Sequence, residues 1–515
     1  MNIKKIFLFS AMIGIALSLN VSASELNYIV GSNRYETASL IAEKMSYNNA
    51  ILVNGTALVD GLSASGLSGT INAPILLTET NYIPSSTINA LKNVNNVYIV
   101  GGEGVVSKGI EEELKKQGKT VIRLGGTSRY ETSLKVANEI EKHKTITEVY
   151  YVNGEVGEAD AMSIAPVAAQ NSNPVILTNG KFTSYKKEAT GFIIGGMGVM
   201  SKDLDYLGER LGGSSRFETN KKVVSRFFNN IDEVYLSKGW ELIDALTSSA
   251  LKKPVILVDK NTDKSIIAGA NSITAIGGID KLTMARVNSY IYGDKVVFYT
   301  QHQDDETLFA GSAIVDAIKS VGQENVYVVL FTKGNKSDVF NQERYKKLSD
   351  DERAELRNNE FDAAVQKLGI ARENIIKLNQ NEYSINYKEL SSLIEGFESE
   401  FSSVTHITHS YKYDVHTEHM QTGQVIYDLY NEGKIQDARF FAGSNEGVKI
   451  PLDYLIQSVS DTEDERSKVM EACQEYKLDN KDMVREGIGY KSVSWMFNNL
   501  KNDIKATNYL HRPGA

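Results

Sequence analysis

The chain of 515 residues contains one cysteine, Cys473, which excludes an intramolecular disulfide framework and any metal site made only of cysteines. Proline is also scarce, with 7 residues, and hydrophobic residues make up 42%, which argues against disordered, collagen-like and low-complexity classes. No basic block offsets the formal net charge of -9, so we do not expect nucleic acid as a partner. At about 100–200 residues per domain, the chain should hold about three or four folded units.

A long apolar stretch occurs only at the N-terminus. Two lysines precede an apolar segment over residues 6–19, and residues 21–23 form the small-x-small pattern that signal peptidase cleaves. This segment is shorter than the roughly 20 apolar residues that span a bilayer, which argues against the alternative of a membrane anchor. We therefore predict a signal peptide over residues 1–23, secretion, and no membrane attachment after cleavage. Export without disulfides favours the cell surface of a Gram-positive bacterium.

Three copies of one motif divide the first half of the chain. The motif opens as G-S-N-R-Y-E-T at Gly31, G-T-S-R-Y-E-T at Gly126 and G-S-S-R-F-E-T at Gly213. Each copy continues through an acidic loop, a strand opened by proline, and a further strand that ends in Gly-Gly. Continuous Val, Ile and Leu runs between amphipathic helices are typical of a parallel sheet covered on both faces, so each copy is predicted to be a small α/β domain.

The Gly-Gly pairs at 101–102, 195–196 and 277–278 allow two interpretations. One is a phosphate-binding loop, but the G-x-G-x-x-G spacing with a later acidic residue is absent from all three copies. The spacing favours the other interpretation, a tight turn between a strand and a helix.

The tripled motif resembles the clostridial type 2 cell-wall-binding repeat. The resemblance implies three tandem modules around a pseudo-threefold axis, which attach a secreted protein non-covalently to an anionic polymer of the cell wall. We place the modules at residues 24–122, 123–210 and 211–293. These residues carry 28 basic and 28 acidic side chains, so net charge cannot supply the binding and local sites must do so.

One arginine in each copy is a candidate for binding the wall polymer: Arg34, Arg129 and Arg216. A guanidinium group offers a planar set of donors that fits a phosphate or a carboxylate. Alternatively, each arginine pairs with the glutamate of its own module, at position 36, 131 or 218. The sequence leaves both interpretations open.

Residues 294–515 differ in composition from the repeats. They carry 26 basic and 37 acidic side chains, and five of the 7 histidines lie between positions 302 and 419. A strand predicted at 296–300 leads into Q-H-Q-D-D-E at 301–306 and then into a helix. A second strand, at 404–409, is followed by H-T-E-H at 416–419 and another helix.

Taken alone, the acids at 304–306 are explained as the first turn of a helix, where they favour the helix dipole. The second cluster changes this interpretation, because loops that follow parallel strands of one sheet open at the same edge. His302, Asp305 and His419 can therefore converge. Two histidines and one carboxylate with an open fourth position are typical of catalytic zinc, and the open position indicates hydrolysis.

The other histidines of this region are treated separately. His416 and His419 could be surface residues of a loop, but the first cluster argues against that. His406 and His409 lie three apart in a strand and face opposite sides, so at most one can face the site. We place neither among the metal ligands.

H-x-D-D-E after the first strand of the domain, followed later by H-x-[DE]-H, resembles the LmbE/PIG-L family of zinc-dependent N-deacetylases. R-x-x-E at 357–360 and Leu-Gly at 368–369 match further elements of that family. The resemblance implies a Rossmann-like fold and removal of acetyl groups from N-acetylglucosaminyl units of lipids, small thiols, antibiotics or chito-oligosaccharides. Gln303 replaces the usual proline of the family, and Thr417-Glu418 replace Pro-Asp.

Carried over residue by residue, the resemblance assigns a role to each member of the two clusters. His302, Asp305 and His419 become the ligands of Zn2+. Asp304 becomes the general base, and His416 the group that stabilises the oxyanion. Glu418 is expected to orient an imidazole from behind the ligands.

The sequence thus predicts an α/β protein with three tandem modules and a Rossmann-like parallel-sheet domain over 294–515. We expect a secreted, wall-anchored zinc hydrolase that removes acetyl groups from N-acetylglucosamine-containing glycans, with tethering raising its concentration at the substrate. The alternative is a non-catalytic surface-layer protein whose C-terminal domain only binds glycan. A soluble deacetylase of small molecules conflicts with the signal peptide and the repeats.

Overall fold

The computed structural model describes residues 24–515, so the signal peptide predicted for residues 1–23 lies outside the described residues. The chain forms two compact units. The repeat unit contains residues 26–262 and 272–279, and the C-terminal unit contains residues 263–271 and 280–515 together with residues 24 and 25. Over residues 24–515, no helix is long and apolar enough to cross a membrane. The module boundaries at 122, 210 and 293 stay predictions.

Three four-stranded sheets form the core of the repeat unit, in the orders β3-β2-β4-β5, β7-β6-β8-β9 and β11-β10-β12-β1. The strands are β1 (Glu25–Ile29), β2 (Asn49–Asn54), β3 (Ile75–Thr78), β4 (Asn96–Val100), β5 (Thr120–Leu124), β6 (Glu148–Asn153), β7 (Val175–Thr178), β8 (Thr190–Ile194), β9 (Glu209–Leu211), β10 (Glu233–Lys238), β11 (Val255–Val258) and β12 (Ser272–Ile276). The helices are α1 (Arg34–Ala42), α2 (Ala64–Ile71), α3 (Ser85–Ala90), α4 (Lys108–Lys116), α5 (Arg129–His143), α6 (Glu158–Asn171), α7 (Arg216–Phe227) and α8 (Ile243–Ser248). The strand pairs from β2 to β12 are parallel, as the continuous apolar runs predict.

The fourth strand of each sheet leads into the next copy of the motif. β5 precedes the second copy and β9 the third, whereas β1 precedes the first copy and completes the third sheet. One hydrogen bond recurs in all three sheets, where the fourth strand ends. The first glycine of each Gly-Gly pair donates its N–H to the carbonyl of Leu124, Leu211 or Ile29, at 3.0, 2.8 and 2.9 Å. The N-terminal strand thereby closes the modules into a cycle, as a pseudo-threefold arrangement requires.

The Gly-Gly pairs form turns after β4, β8 and β12. The first glycine of each pair, at 101, 195 and 277, has a φ of 137°, 129° and 68°, in the region that favours glycine. A Cβ added at Gly195 would lie 2.8 Å from Oδ2 of the buried Asp160. The tight-turn interpretation is therefore confirmed.

A seven-stranded sheet organises the C-terminal unit, in the order β15-β14-β13-β16-β17-β21-β18. Its strands are β13 (Lys295–Thr300), β14 (Val326–Thr332), β15 (Ile375–Gln380), β16 (Val404–His409), β17 (Asp437–Ala442), β18 (Leu455–Ser458) and β21 (Asn508–His511), and β19 (Asp479–Asn480) pairs with β20 (Arg485–Glu486) separately. The helices are α9 (Lys281–Val287), α10 (Asp305–Val321), α11 (Asp350–Leu368), α12 (Tyr387–Glu400), α13 (Thr417–Asn431), α14 (Ser444–Gly447), α15 (Glu463–Glu475) and α16 (Ile488–Asn502).

β13 lies inside this sheet, with β14 on one side and β16 on the other, both parallel to it. Buried residues of β13 pack on both faces of the sheet: Phe298 belongs to one hydrophobic cluster and Tyr299 to another. The Rossmann-like parallel sheet is confirmed, with β21 added antiparallel to β17 and β18. The chain order reverses between β13 and β16, and the carboxyl ends of strands at such a point are where α/β sheets bind ligands.

Candidate active site

The three predicted metal ligands come together at the carboxyl ends of β13 and β16. His302 Nδ1 lies 3.2 Å from His419 Nε2 and 3.6 Å from Asp305 Oδ2, and His419 Nε2 lies 3.5 Å from the same Asp305 oxygen. Two ligand atoms about 2.0–2.1 Å from a tetrahedral zinc ion are separated by about 3.3–3.4 Å. The donor set therefore fits zinc in both chemistry and spacing, and the assignment of the ligands stays a prediction.

Carboxylates contact the outer nitrogens of these imidazoles. Asp414 Oδ2 lies 3.1 Å from His419 Nδ1, and Glu418 Oε2 lies 3.6 Å from His302 Nε2. Such contacts hold the rings of metal-binding histidines in orientation and raise their basicity. Glu418 lies behind His302, but at 3.6 Å it makes no hydrogen bond to that ring, so its orienting role stays a prediction. Asp414 takes the same position behind His419.

His409, which the sequence analysis leaves out of the ligand set, lies in the same cluster. Its Nε2 is 3.2 Å from Asp305 Oδ2, and its ring stacks on His419 with centroids 3.7 Å apart. His409, Asp414 and His419 form a second group of closely spaced donors. A histidine at the last position of a strand that ends at the site is the signal that could have identified it.

His406 faces the other side of β16. Its Nδ1 lies 2.9 Å from the Tyr299 hydroxyl and its Nε2 lies 3.2 Å from Glu398 Oε2. The alternation of side chains along a strand predicts that only one of His406 and His409 faces the site, but it does not identify which.

Asp304 stands at the N-cap of α10 with a φ of 100°, a left-handed conformation that side chains rarely adopt and that is concentrated at functional sites. Its side chain makes no capping bond to the helix, so capping does not account for it. Asp304 Oδ2 accepts a hydrogen bond from Arg357 Nη2 at 3.0 Å. Burial raises the pKa of Asp304 to about 6, against the opposing charge of Arg357.

Two side chains, Arg357 and Gln303, fix the loop over residues 301–304. Arg357, which is buried, also donates to the carbonyl of Gln303. The side-chain amide of Gln303 donates to the Lys333 carbonyl at 3.1 Å and to Asn358 Oδ1 at 3.0 Å. These bonds fix the loop at the position where the resembled family has a proline.

His416 precedes the first residue of α13 and completes the group of imidazoles. Its ring centroid lies 5.2 Å from that of His302 and 4.5 Å from that of His419. Burial lowers the pKa of His416, as do the neighbouring His419 and His302. A neutral imidazole can donate a hydrogen bond to a developing oxyanion.

The three candidate wall-binding arginines make the same contact in each module. Arg34, Arg129 and Arg216 each donate Nη1 to a glycine carbonyl, that of residue 55, 154 or 239. The glutamates at 36, 131 and 218 bond instead to the backbone and side chain of residues 32, 127 and 214. The alternative that each arginine pairs with the glutamate of its own module is therefore wrong. Polymer binding by these arginines stays a prediction.

The comparison with protein families identifies the repeats. The model of cell wall binding domain 2 matches residues 29–111, 123–205 and 210–301, half of the chain. The chain belongs to this cell-wall-binding family. The model of GlcNAc-PI de-N-acetylase matches residues 297–430, so three cell-wall-binding repeats precede a C-terminal domain of the de-N-acetylase family.

Curated proteins and solved structures similar to the cell-wall-binding chain each cover part of it. N-acetylmuramoyl-L-alanine amidase LytC of Bacillus subtilis strain 168 is 28% identical over 314 residues, 56% of this chain and 62% of its own. Cwp8 from Clostridium difficile is 31% identical with a TM-score of 0.48, over 54% of this chain and 52% of that chain. N,N'-diacetylchitobiose deacetylase from Pyrococcus horikoshii is 16% identical with a TM-score of 0.31, over 42% and 83%. This chain spans less than two thirds of LytC and about half of Cwp8.

Proposed function

We propose that the chain is a secreted, wall-anchored, zinc-dependent hydrolase that removes acetyl groups from N-acetylglucosamine-containing glycans at the surface of a Gram-positive bacterium. The observation that carries the proposal is the tetrahedral spacing of His302, Asp305 and His419 beside the buried Asp304. This cluster lies in a domain of the de-N-acetylase family, and the repeats of the same chain belong to a cell-wall-binding family.

Zinc held by His302, Asp305 and His419 would lower the pKa of a water molecule to about 7 and polarise the acetamide carbonyl. Asp304, as general base, would take a proton from the attacking water as the water oxygen bonds to the carbonyl carbon, and Arg357 keeps the Asp304 carboxylate in orientation. His416 donates a hydrogen bond to the oxyanion that forms when the carbonyl carbon becomes tetrahedral. The C–N bond then breaks, and the departing amine takes a proton from Asp304 or His416. The products are acetate and a free amine.

The repeats would retain this enzyme at an immobile substrate. Their proposed ligand is an anionic wall polymer, contacted by Arg34, which is exposed, and by Arg129 and Arg216, which are partly buried. Replacing all three with alanine in the full chain should weaken its retention on protein-free cell walls, provided that its melting temperature is unchanged. Full retention would remove these arginines from the proposal.

Acetate release from purified wall fractions and from N-acetylated chito-oligosaccharides tests the activity. The wild-type chain should release acetate and His302→Ala should not. His143→Ala is a matched control, because this exposed histidine of α5 lies in the repeat unit and pairs with Glu139 of its own helix, at 3.5 Å. A chain that binds zinc and releases acetate from none of these substrates would favour the glycan-binding surface protein.

A further inference from the structure

The cavity beside the proposed catalytic residues extends well beyond them. Its volume is about 760 Å³, toward the upper end of the range of about 300–1,000 Å³ of ligand pockets. Part of its lining comes from residues 443–446 and 491–508, which follow the segment matched by the de-N-acetylase family model. A single N-acetylated sugar would fill only part of this volume. Residues 443–446 and 491–508 therefore enlarge the cavity enough for a longer ligand.

Exposed apolar side chains are grouped around this cavity. Trp495, Tyr383 and Val415 all line it, and they are 57%, 77% and 84% exposed. Single exposed apolar residues are common, but a group around one cavity marks a binding surface. The flat apolar face of a sugar ring packs well on an indole. Asn499 lines the cavity one helical turn after Trp495, where its amide can bond sugar hydroxyls.

The helix α16, which carries Trp495, is held at two points, one on each side of a bend at Val493. The buried Glu360 accepts the N–H groups of Ile488 and Gly489, at 2.7 and 2.9 Å, where α16 begins. Phe497 of the same helix is fully buried in the core. The helix bends at Val493, and Trp495 lies beyond this bend, where the buried Phe497 holds it, so little conformational freedom is lost when a ligand packs on the indole.

The charged side chains around the cavity favour a ligand without negative charge. Asp338, Glu382 and Glu446 line the cavity. The two lysines of the lining, Lys336 and Lys491, each pair with an acidic residue, at 3.0 and 3.4 Å. An anionic polymer would be repelled here, whereas a neutral glycan and its amine-bearing product would not.

We infer that the cavity binds a chain of several neutral N-acetylated sugars, with Trp495 packed on a sugar further along the chain than the one that reacts. The inference rests on the proposed function and narrows its substrate to an oligosaccharide or polysaccharide. It also separates this glycan from the anionic polymer proposed for the repeats. Trp495 acts as a positioning residue that sets the affinity for long chains.

Kinetics with substrates of two lengths test the role of Trp495. Trp495→Ala should raise KM for N-acetylated chitopentaose about tenfold and leave KM for the disaccharide, and kcat for both, unchanged. Trp495→Tyr keeps an aromatic face and should restore most of the affinity. Trp240→Ala removes the other tryptophan of the chain, which is exposed in the repeat unit, and should change neither KM. An equal rise in KM for both lengths, or no rise for the pentasaccharide, would overturn the inference.

Direct binding separates this inference from the proposed function. In a chain with Trp240→Phe and Asp304→Asn, Trp495 is the only indole and the substrate is consumed about 10²–10⁴-fold more slowly. Its fluorescence should change on addition of chitopentaose and not on addition of a hyaluronan fragment of similar length, which alternates N-acetylglucosamine with anionic glucuronic acid. A fluorescence change without acetate release by the wild type would support the glycan site and overturn the proposed function. Acetate release without a fluorescence change, or equal binding of both glycans, would overturn the inference.

Discussion

Replacing Asp414 with asparagine tests whether a carboxylate orients the proposed zinc ligand His419. Asp414 Oδ2 lies 3.1 Å from His419 Nδ1 and 3.7 Å from His409 Nδ1. Burial raises the pKa of Asp414, but the two neighbouring histidines outweigh burial and hold the pKa well below its usual value, so the group is a carboxylate. Asparagine keeps the shape and removes the charge. Because such carboxylates contribute about 10–100-fold to metal affinity, we expect Asp414→Asn to weaken zinc binding by about 1.4–2.7 kcal/mol.

Competition with a chromophoric chelator at neutral pH measures this loss on the full chain. Glu398→Gln is a matched control, because Glu398 makes the same kind of contact with His406, at 3.2 Å, on the other side of β16. The control should bind zinc as tightly as the wild type. Wild-type affinity in Asp414→Asn, or equal weakening in both variants, would refute the orienting role.

Three further substitutions test other parts of the molecule. Asp304→Asn removes the proposed base and leaves the ligands, so acetate release should fall about 10²–10⁴-fold with zinc content unchanged, and wild-type activity would refute the assignment. Burial raises the pKa of Asp160 to about 6, so the folded repeat unit keeps a proton that the unfolded chain releases near pH 3.9. The free energy of unfolding of the repeat unit should therefore fall by up to about 3 kcal/mol as the pH rises from about 4 to about 6. Asp160→Asn should remove this loss from thermal unfolding profiles, and an unaltered pH profile would contradict it. Gly195→Ala places a Cβ 2.8 Å from Asp160 Oδ2 at a φ of 129°, so the free energy of unfolding should fall by about 1–3 kcal/mol. An unchanged free energy of unfolding would show that the turn does not need glycine.

The repeats could be predicted from the sequence because their signals are local. In the first copy, for example, the Asn33 side chain caps α1 and Thr37 Oγ1 accepts the N–H of Gly31 at 3.1 Å, which explains why these residue types recur. The partner of β1 could not be predicted, since this strand completes a sheet formed by residues 233–276. Edge pairing between segments so far apart leaves no mark in the local pattern.

The site could be predicted only where topology determines it. His302, Asp305 and His419 converge because they follow neighbouring parallel strands. His409 was missed because alternation leaves the facing side undecided, and Asp414 because its contact depends on the path of a loop. The cavity lining formed by α16 was not anticipated, because helical periodicity does not identify which site a helix will border.

Acetate release by the metal-free full chain, measured as zinc is added back stepwise with N-acetylated chito-oligosaccharide as substrate, tests the proposed zinc-dependent deacetylation most directly. We predict that the rate rises in proportion to added zinc, reaches a plateau at about one equivalent per chain, and stays at background for His302→Ala throughout the titration. Full acetate release before zinc is added, or none after the chain has bound its equivalent, would contradict the proposal.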